Sequence, residues 1–167
     1  NRKVKALSST FPRDKGQIVD LTDFLNINIY SSSIMTDKLL SPLDEKSSRY
    51  YHYLLDTVAD VRGYHQYKIL IVPKFDGTQL VNGYVWVDGV DFTIRETYME
   101  GKYDMNTFKL HTVMGDSGDE SFLPVRLHLN VEFKFMGNHL EMDAGVWMKY
   151  HSVIFNKDGK RKKSTKK

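Results

Sequence analysis

Residues 125–135 read VRLHLNVEFKF and residues 140–150 read LEMDAGVWMKY, with Met136-Gly137-Asn138-His139 between them. In the first run Val125, Leu127, Leu129, Val131, Phe133 and Phe135 alternate with Arg126, His128, Asn130, Glu132 and Lys134. In the second, Leu140, Met142, Ala144, Val146, Met148 and Tyr150 alternate with residues that include Glu141, Asp143 and Lys149. A period of two over such lengths is the pattern of a strand with one buried and one wet face. Gly137-Asn138 reads as a two-residue hairpin turn, because both residues tolerate positive φ. That turn predicts Phe135 opposite Leu140, Phe133 opposite Met142, Val131 opposite Ala144 and Leu127 opposite Met148, with Lys134 facing Glu141 on the wet side. A one-residue slip would turn every apolar side chain to water. The apolar face, rich in Met and Phe, must cover a helix, a second sheet or a ligand.

Working outward, short alternating runs fill the chain from Tyr50 onward. Strands are predicted over residues 51–57, 64–72, 79–88, 92–98 and 108–114, with turns at Arg62-Gly63, Asp76-Gly77, Asp88-Gly89 and Glu100-Gly101. In the 79–88 strand Val81, Val85 and Val87 share one face, and Tyr84 and Trp86 the other. Pro73 ends the second of these strands, since it cannot donate to a ladder. Upstream, NINIYS over residues 26–31 is a strand candidate. Residues 41–48, with Pro42 at the first position, suit a single helical turn or short helix. Residues 19–25 suit a short helix or a bulge before a strand. Short connections favour an antiparallel meander, because parallel strands need long crossovers. The fold class is therefore mainly β with minor α: a strongly curved antiparallel sheet, or half-barrel, of seven to nine strands with one or two short helices.

The 167 residues suffice for one domain with a core. Residues 1–25 form a lead-in, 26–156 a single curved antiparallel β domain, and 157–167 a basic tail or linker. Seven of the 24 basic residues and one of the 21 acidic ones lie in that tail, leaving 17 basic against 20 acidic in the body. A like-charge block of this kind is a solvated terminus, or a contact for acidic lipid headgroups. No basic stripe interleaved with aromatics crosses the body, so no nucleic acid is expected. The absence of cysteine excludes a disulfide scaffold and thiol chemistry. No run of 18 apolar residues offers a spanning helix.

The chemistry-bearing residues do not assemble into a known fingerprint. His128 and Glu132 share one strand, and the predicted hairpin register sets His128 near Trp147 rather than near a second histidine. A zinc site needs three or four convergent ligands, so neither a metal nor any other cofactor is expected. Asp56, Asp60, Asp76, Asp88 and Asp91 sit beside turns, where Asp caps backbone amides. Ser117 lies in a loop and lacks a histidine partner. No nucleophile elbow, HExxH, P-loop or dinucleotide fingerprint is present, and no catalytic residue is assigned. The sharper candidates are apolar: Leu127, Leu129, Val131, Phe133, Met142, Val146 and Met148, on one face of the hairpin, as the lining of a lipid or acyl site. The competing expectation is that these residues are simply core.

Several motifs carry a resemblance. Ser41-Pro42-Leu43, Tyr50-Tyr51-His52-Tyr53, Asp56-Thr57 and Gly63 are followed by YKILIVPK over residues 67–74. Gly83-Tyr84-Val85-Trp86-Val87-Asp88 precedes Phe92-Thr93-Ile94-Arg95, and Phe122-Leu123-Pro124-Val125-Arg126 opens the last hairpin. Together they resemble an uncharacterised Bacteroidota outer-membrane family. In it a carboxypeptidase-regulatory-like domain precedes this region and a membrane β-barrel often follows. The region is also similar to the half-barrels of the lipoprotein carriers LolA and LolB. The resemblance implies a periplasmic or outer-membrane location, flanking domains of the same protein as partners, and a lipid or lipoprotein acyl chain as ligand. It carries no catalytic residues. A structural connector or protein-interaction module is the alternative it leaves open.

Overall fold

The computed structural model describes residues 28–34, 39–61, 63–77, 79–103, 106–116 and 121–153. The expected lead-in, the 19–25 element and the basic tail lie outside the described residues. Seven strands form one sheet: β3 (Tyr51–Val61), β4 (Tyr64–Pro73), β5 (Val81–Asp88), β6 (Ile94–Tyr103), β7 (Asn106–Met114), β8 (Pro124–Phe135) and β9 (Asn138–Trp147). They lie in chain order, each antiparallel to the next. The sheet is curved and does not close into a barrel, so β3 and β9 are its edges. Bulges at Leu55/Thr57, Trp86/Val87 and Val113/Met114 interrupt the ladder, and each adds local bend and twist.

Alternation assigns the faces, and burial confirms them. The inner face carries Ile71, Val81, Val85, Met99, Phe108, Leu110, Leu127 and Leu129, all buried. Its cover comes from the segment before the sheet, where β1 (Ser33–Ile34) pairs with β2 (Leu39–Leu40). Ile34 and Leu39 are buried in the core, and Leu40, Leu43 and Tyr50 pack against it. Hydrogen bonds hold this cover to the sheet. The Tyr51 hydroxyl donates to the Leu40 carbonyl at 2.9 Å and accepts from the Val81 N–H at 3.2 Å. Tyr53 donates to the Pro42 carbonyl at 2.7 Å, and the Leu40 N–H to the Gln79 carbonyl at 2.9 Å. Burial pushes the Tyr51 phenol up to about 12, because its anion would sit dry beside the Leu40 carbonyl.

Four local expectations need correction. The hairpin turn is at Met136-Gly137, with φ of 45° and 81°, one residue before the expected Gly137-Asn138. Two positive-φ residues between paired strands make the kind of turn whose twist matches the ribbon. Phe133 therefore faces Leu140, Val131 faces Met142, Leu129 faces Ala144, Leu127 faces Val146, and Lys134 faces His139. The difference in register is two residues, which keeps every side chain on its expected face. Lys134 pairs with Glu132 of its own strand at 2.9 Å, not with Glu141.

Glu100-Gly101 is not a turn; it lies inside β6, opposite Lys109 and Phe108. A Cβ on Gly101 would sit 3.0 Å from the Phe108 ring, so this glycine makes room for an aromatic. The described part of the NINIYS segment is a turn, because Asn28 Oδ1 accepts from the Tyr30 N–H at 3.0 Å and the Asn28 carbonyl from Ser31 N–H at 3.1 Å. Such side-chain capping competes with a ladder. The helical expectation over 41–48 reduces to turns and a 3₁₀ helix at Ser47–Arg49.

Candidate functional site

All seven candidate residues lie on the inner face, but they divide into two groups. Leu127 and Leu129, 4% and 0% exposed, belong to the closed core. Val131, Met142, Val146 and Met148 are half-buried and pack against that core from one side. Phe133 is half-buried beyond them. Its cross-strand neighbour Leu140 is 62% exposed on the same face. The cover thus closes the middle of the sheet and leaves an apolar margin along the β8–β9 ribbon. Thioethers line part of this margin, and they adapt to guests of varied shape. Met148 faces Val125 rather than Leu127: its N–H donates to the Val125 carbonyl at 2.9 Å, continuing the ladder past β9.

The outer face is polar and internally paired. Tyr84 and Tyr98 stack with centroids 5.5 Å apart, and Lys68 Nζ lies 4.7 Å over the Tyr84 ring. Tyr84 donates to Glu96 at 3.1 Å and Tyr98 to Glu100 at 2.8 Å. Burial, aided by Glu100, pushes the Tyr98 phenol up to about 12. His111 faces Tyr98 on one side and His128 on the other. Sequence reasoning placed no histidine beside His128; the β7–β8 register puts one directly opposite. Glu96 Oε1 lies 2.9 Å from His111 Nε2, and Asp143 Oδ1 lies 2.9 Å from His128 Nε2. Trp147 is opposite Arg126, and its ring lies within 3.2 Å of where a Gly145 Cβ would stand.

At one end of this face a groove of about 810 Å³ runs past Tyr64, Gln66, Trp86 and Glu96. Arg95 forms part of its wall. Its guanidinium bonds Asp88 Oδ2 at 3.0 Å and the Gly115 and Asp116 carbonyls at 3.3 and 2.9 Å. The arginine therefore ties the β5–β6 turn to the loop after β7. The Val90 N–H and then Arg95 hold the Asp88 carboxyl below its ordinary value. Asp91 is lowered too, by Thr93 through both its hydroxyl and its N–H. These are the turn-capping roles expected of both aspartates, so the groove wall is structural.

A family model covers residues 1–151, most of the chain. The chain belongs to DUF5686, a family of unknown function. No curated protein and no solved structure matches it. For this DUF5686 chain, among the described residues, no helix is long and apolar enough to cross a membrane. Nor do three or more histidine and acidic side chains converge as a ready metal cage. The apolar margin was legible as one face of an alternating hairpin. The opposed histidines were not, because they depend on how β7 pairs with β8 across a polar loop that has no diagnostic turn.

Proposed function

We propose that this DUF5686 chain is a non-catalytic domain of the cell envelope that binds a lipid, or the acyl chain of a lipoprotein, along the β8–β9 margin of its inner face. One observation carries the reading. The apolar face runs on past its own cover, leaving Leu140 exposed, Phe133 and Met142 half-buried beside it, and Val146 half-buried farther along β9. An apolar surface continuous with a core, yet open at one end, suits a chain-like apolar guest. A curved sheet with a partial inner cover also supports the likeness to the LolA and LolB carriers. The basic tail, Lys157–Lys167, would place acidic headgroups nearby.

Protein purified without detergent and extracted for mass spectrometry should release lipid, and a fluorescent fatty acid should bind it saturably. Leu140→Asp, at an exposed position, should abolish uptake while preserving the fold. Lipid-free protein that also refuses both a fatty acid and a lipopeptide would sink the proposal.

The second reading is a connector or protein-interaction module, favoured by the β3 edge. There Leu54, Leu55 and Val58 are 52%, 64% and 51% exposed on a strand with no outer neighbour among the described residues. Unpaired strand edges recruit further strands. In a connector, β3 variants rather than β9 variants would impair the full-length protein.

A further inference from the structure

We propose that His111 and His128 form a cross-strand chelate for a divalent transition-metal ion, with Cu²⁺ the tightest ligand and Zn²⁺ weaker. The two residues are direct partners across β7 and β8, which places their Cβ atoms about 4.5–5.5 Å apart on one face. Both side chains reach solvent, at 38% and 50% exposure.

Each ring has a carboxylate at the same nitrogen. Asp143 takes His128 Nε2 at 2.9 Å, and Glu96 lies 2.9 Å from His111 Nε2. The Glu96 approach lacks hydrogen-bond geometry, leaving that buried nitrogen unsatisfied. The Asp143 hydrogen bond favours the proton on His128 Nε2 and leaves the lone pair on Nδ1, and the Glu96 charge beside His111 Nε2 favours the same tautomer there. Among the described residues neither Nδ1 has a partner. Nδ1 is the ring nitrogen nearer the backbone, so two such atoms on opposed residues can converge on an ion about 2.0–2.1 Å from each.

Charge and softness agree with this assignment. Two neutral imidazoles flanked by Glu96 and Asp143 balance a dication, and imidazole suits copper and zinc over calcium or magnesium. Lys109 and Arg126 occupy the adjoining rows, and Tyr98 stands beside His111. Because no third protein ligand converges among the described residues, water completes the coordination.

The test is a titration of the full chain with Cu²⁺ and, separately, Zn²⁺. Trp86 and Trp147 share the outer face with the pair, so bound Cu²⁺ should quench tryptophan emission saturably, and Zn²⁺ should compete with it. His111→Ala and His128→Ala should each abolish the saturable phase, whereas His65→Ala and His139→Ala should leave it intact. Asp143→Asn should weaken binding by about 10–100-fold, the usual cost of losing an orienting partner, and Glu96→Gln should weaken it less. Acidification should release the ion, because protons compete with it for the imidazole nitrogens. Absence of saturable quenching overturns the proposal. So does quenching that survives loss of either His111 or His128, which would place the ion elsewhere.

Discussion

Truncating two residues on the same inner face, Leu129 and Met142, should separate closed core from open margin. Leu129 is 0% exposed and lies between Leu110 and Ala144. Leu129→Ala removes three buried carbons and leaves a void that the flanking strands cannot fill, at a cost of about 2–5 kcal/mol. For a domain of this size each kcal/mol lowers the melting temperature by roughly 2–4 °C, so the expected drop is about 4–20 °C. Met142 sits opposite Val131 and is only half-buried. Full burial of such a side chain contributes about 1.5–3 kcal/mol, and half of that with no sealed cavity is about 1 kcal/mol, or roughly 2–4 °C. Met142→Ala should therefore melt near the wild type while losing fatty-acid uptake. Thermal melts followed by far-UV circular dichroism, paired with a fluorescent-probe titration, read both quantities on the same samples. A Met142→Ala drop as large as that of Leu129→Ala would show the face closed throughout and refute the ligand margin. A Leu129→Ala protein melting with the wild type would refute the assignment of the core itself.

Gly83→Ala should be more damaging than either, because a Cβ there would run into the Tyr98 backbone carbonyl, which cannot swing aside; wild-type melting of that variant would show the β5–β6 pairing to be misplaced. Stability against urea should also depend on pH at both ends of the scale. Asp88 and Asp91 are depressed in the folded state, so their contribution is present above the unfolded carboxylate value of about 3.9 and fades as pH falls through their lower folded values. Tyr51 and Tyr98 are raised to about 12, so their contribution is whole below about 10 and is lost as pH rises toward 12. A urea midpoint that stays flat from pH 5 down to pH 2 would contradict the acidic arm, and one flat from pH 9 to pH 12 the alkaline arm.

Side-chain alternation is a statement about faces, and the faces were legible. Val81, Val85, Phe108, Leu110, Leu127 and Leu129 are buried as their parity requires. Alternation is silent about sliding a strand by two residues, which exchanges every partner and turns no side chain over. That freedom explains the hairpin: Phe133 met Leu140 instead of Met142 because the turn closed on Met136-Gly137, with a methionine in a conformation usually left to Gly or Asn. Glycine is ambiguous for a related reason. Gly137 and Gly63 take positive φ in turns, whereas Gly101 clears space for Phe108 in mid-strand, and both roles look alike along the chain. The cover was hidden differently, since Ile29, Ile34, Leu39 and Leu43 arrive in short pieces that share no period.

A candidate site inherits whichever level of information it needs. The apolar margin needs only a face, so its residues could be named from alternation before any partner was known. The histidine pair needs a row. His111 and His128 meet because β7 and β8 align over a polar loop, and shifting either strand by two residues would leave both histidines on the outer face but set each against a different neighbour. The distinction bears on what can be engineered. Replacing Leu140 or Met142 by an apolar residue of similar size preserves a face and should preserve an apolar margin. The chelate demands the present register as well as the present residues. Moving His128 to position 126 or 130 would keep it on the wet face, yet should abolish the saturable copper quenching as fully as deleting it. A relocated histidine that still bound Cu²⁺ with wild-type affinity would show that register is not what assembles the site.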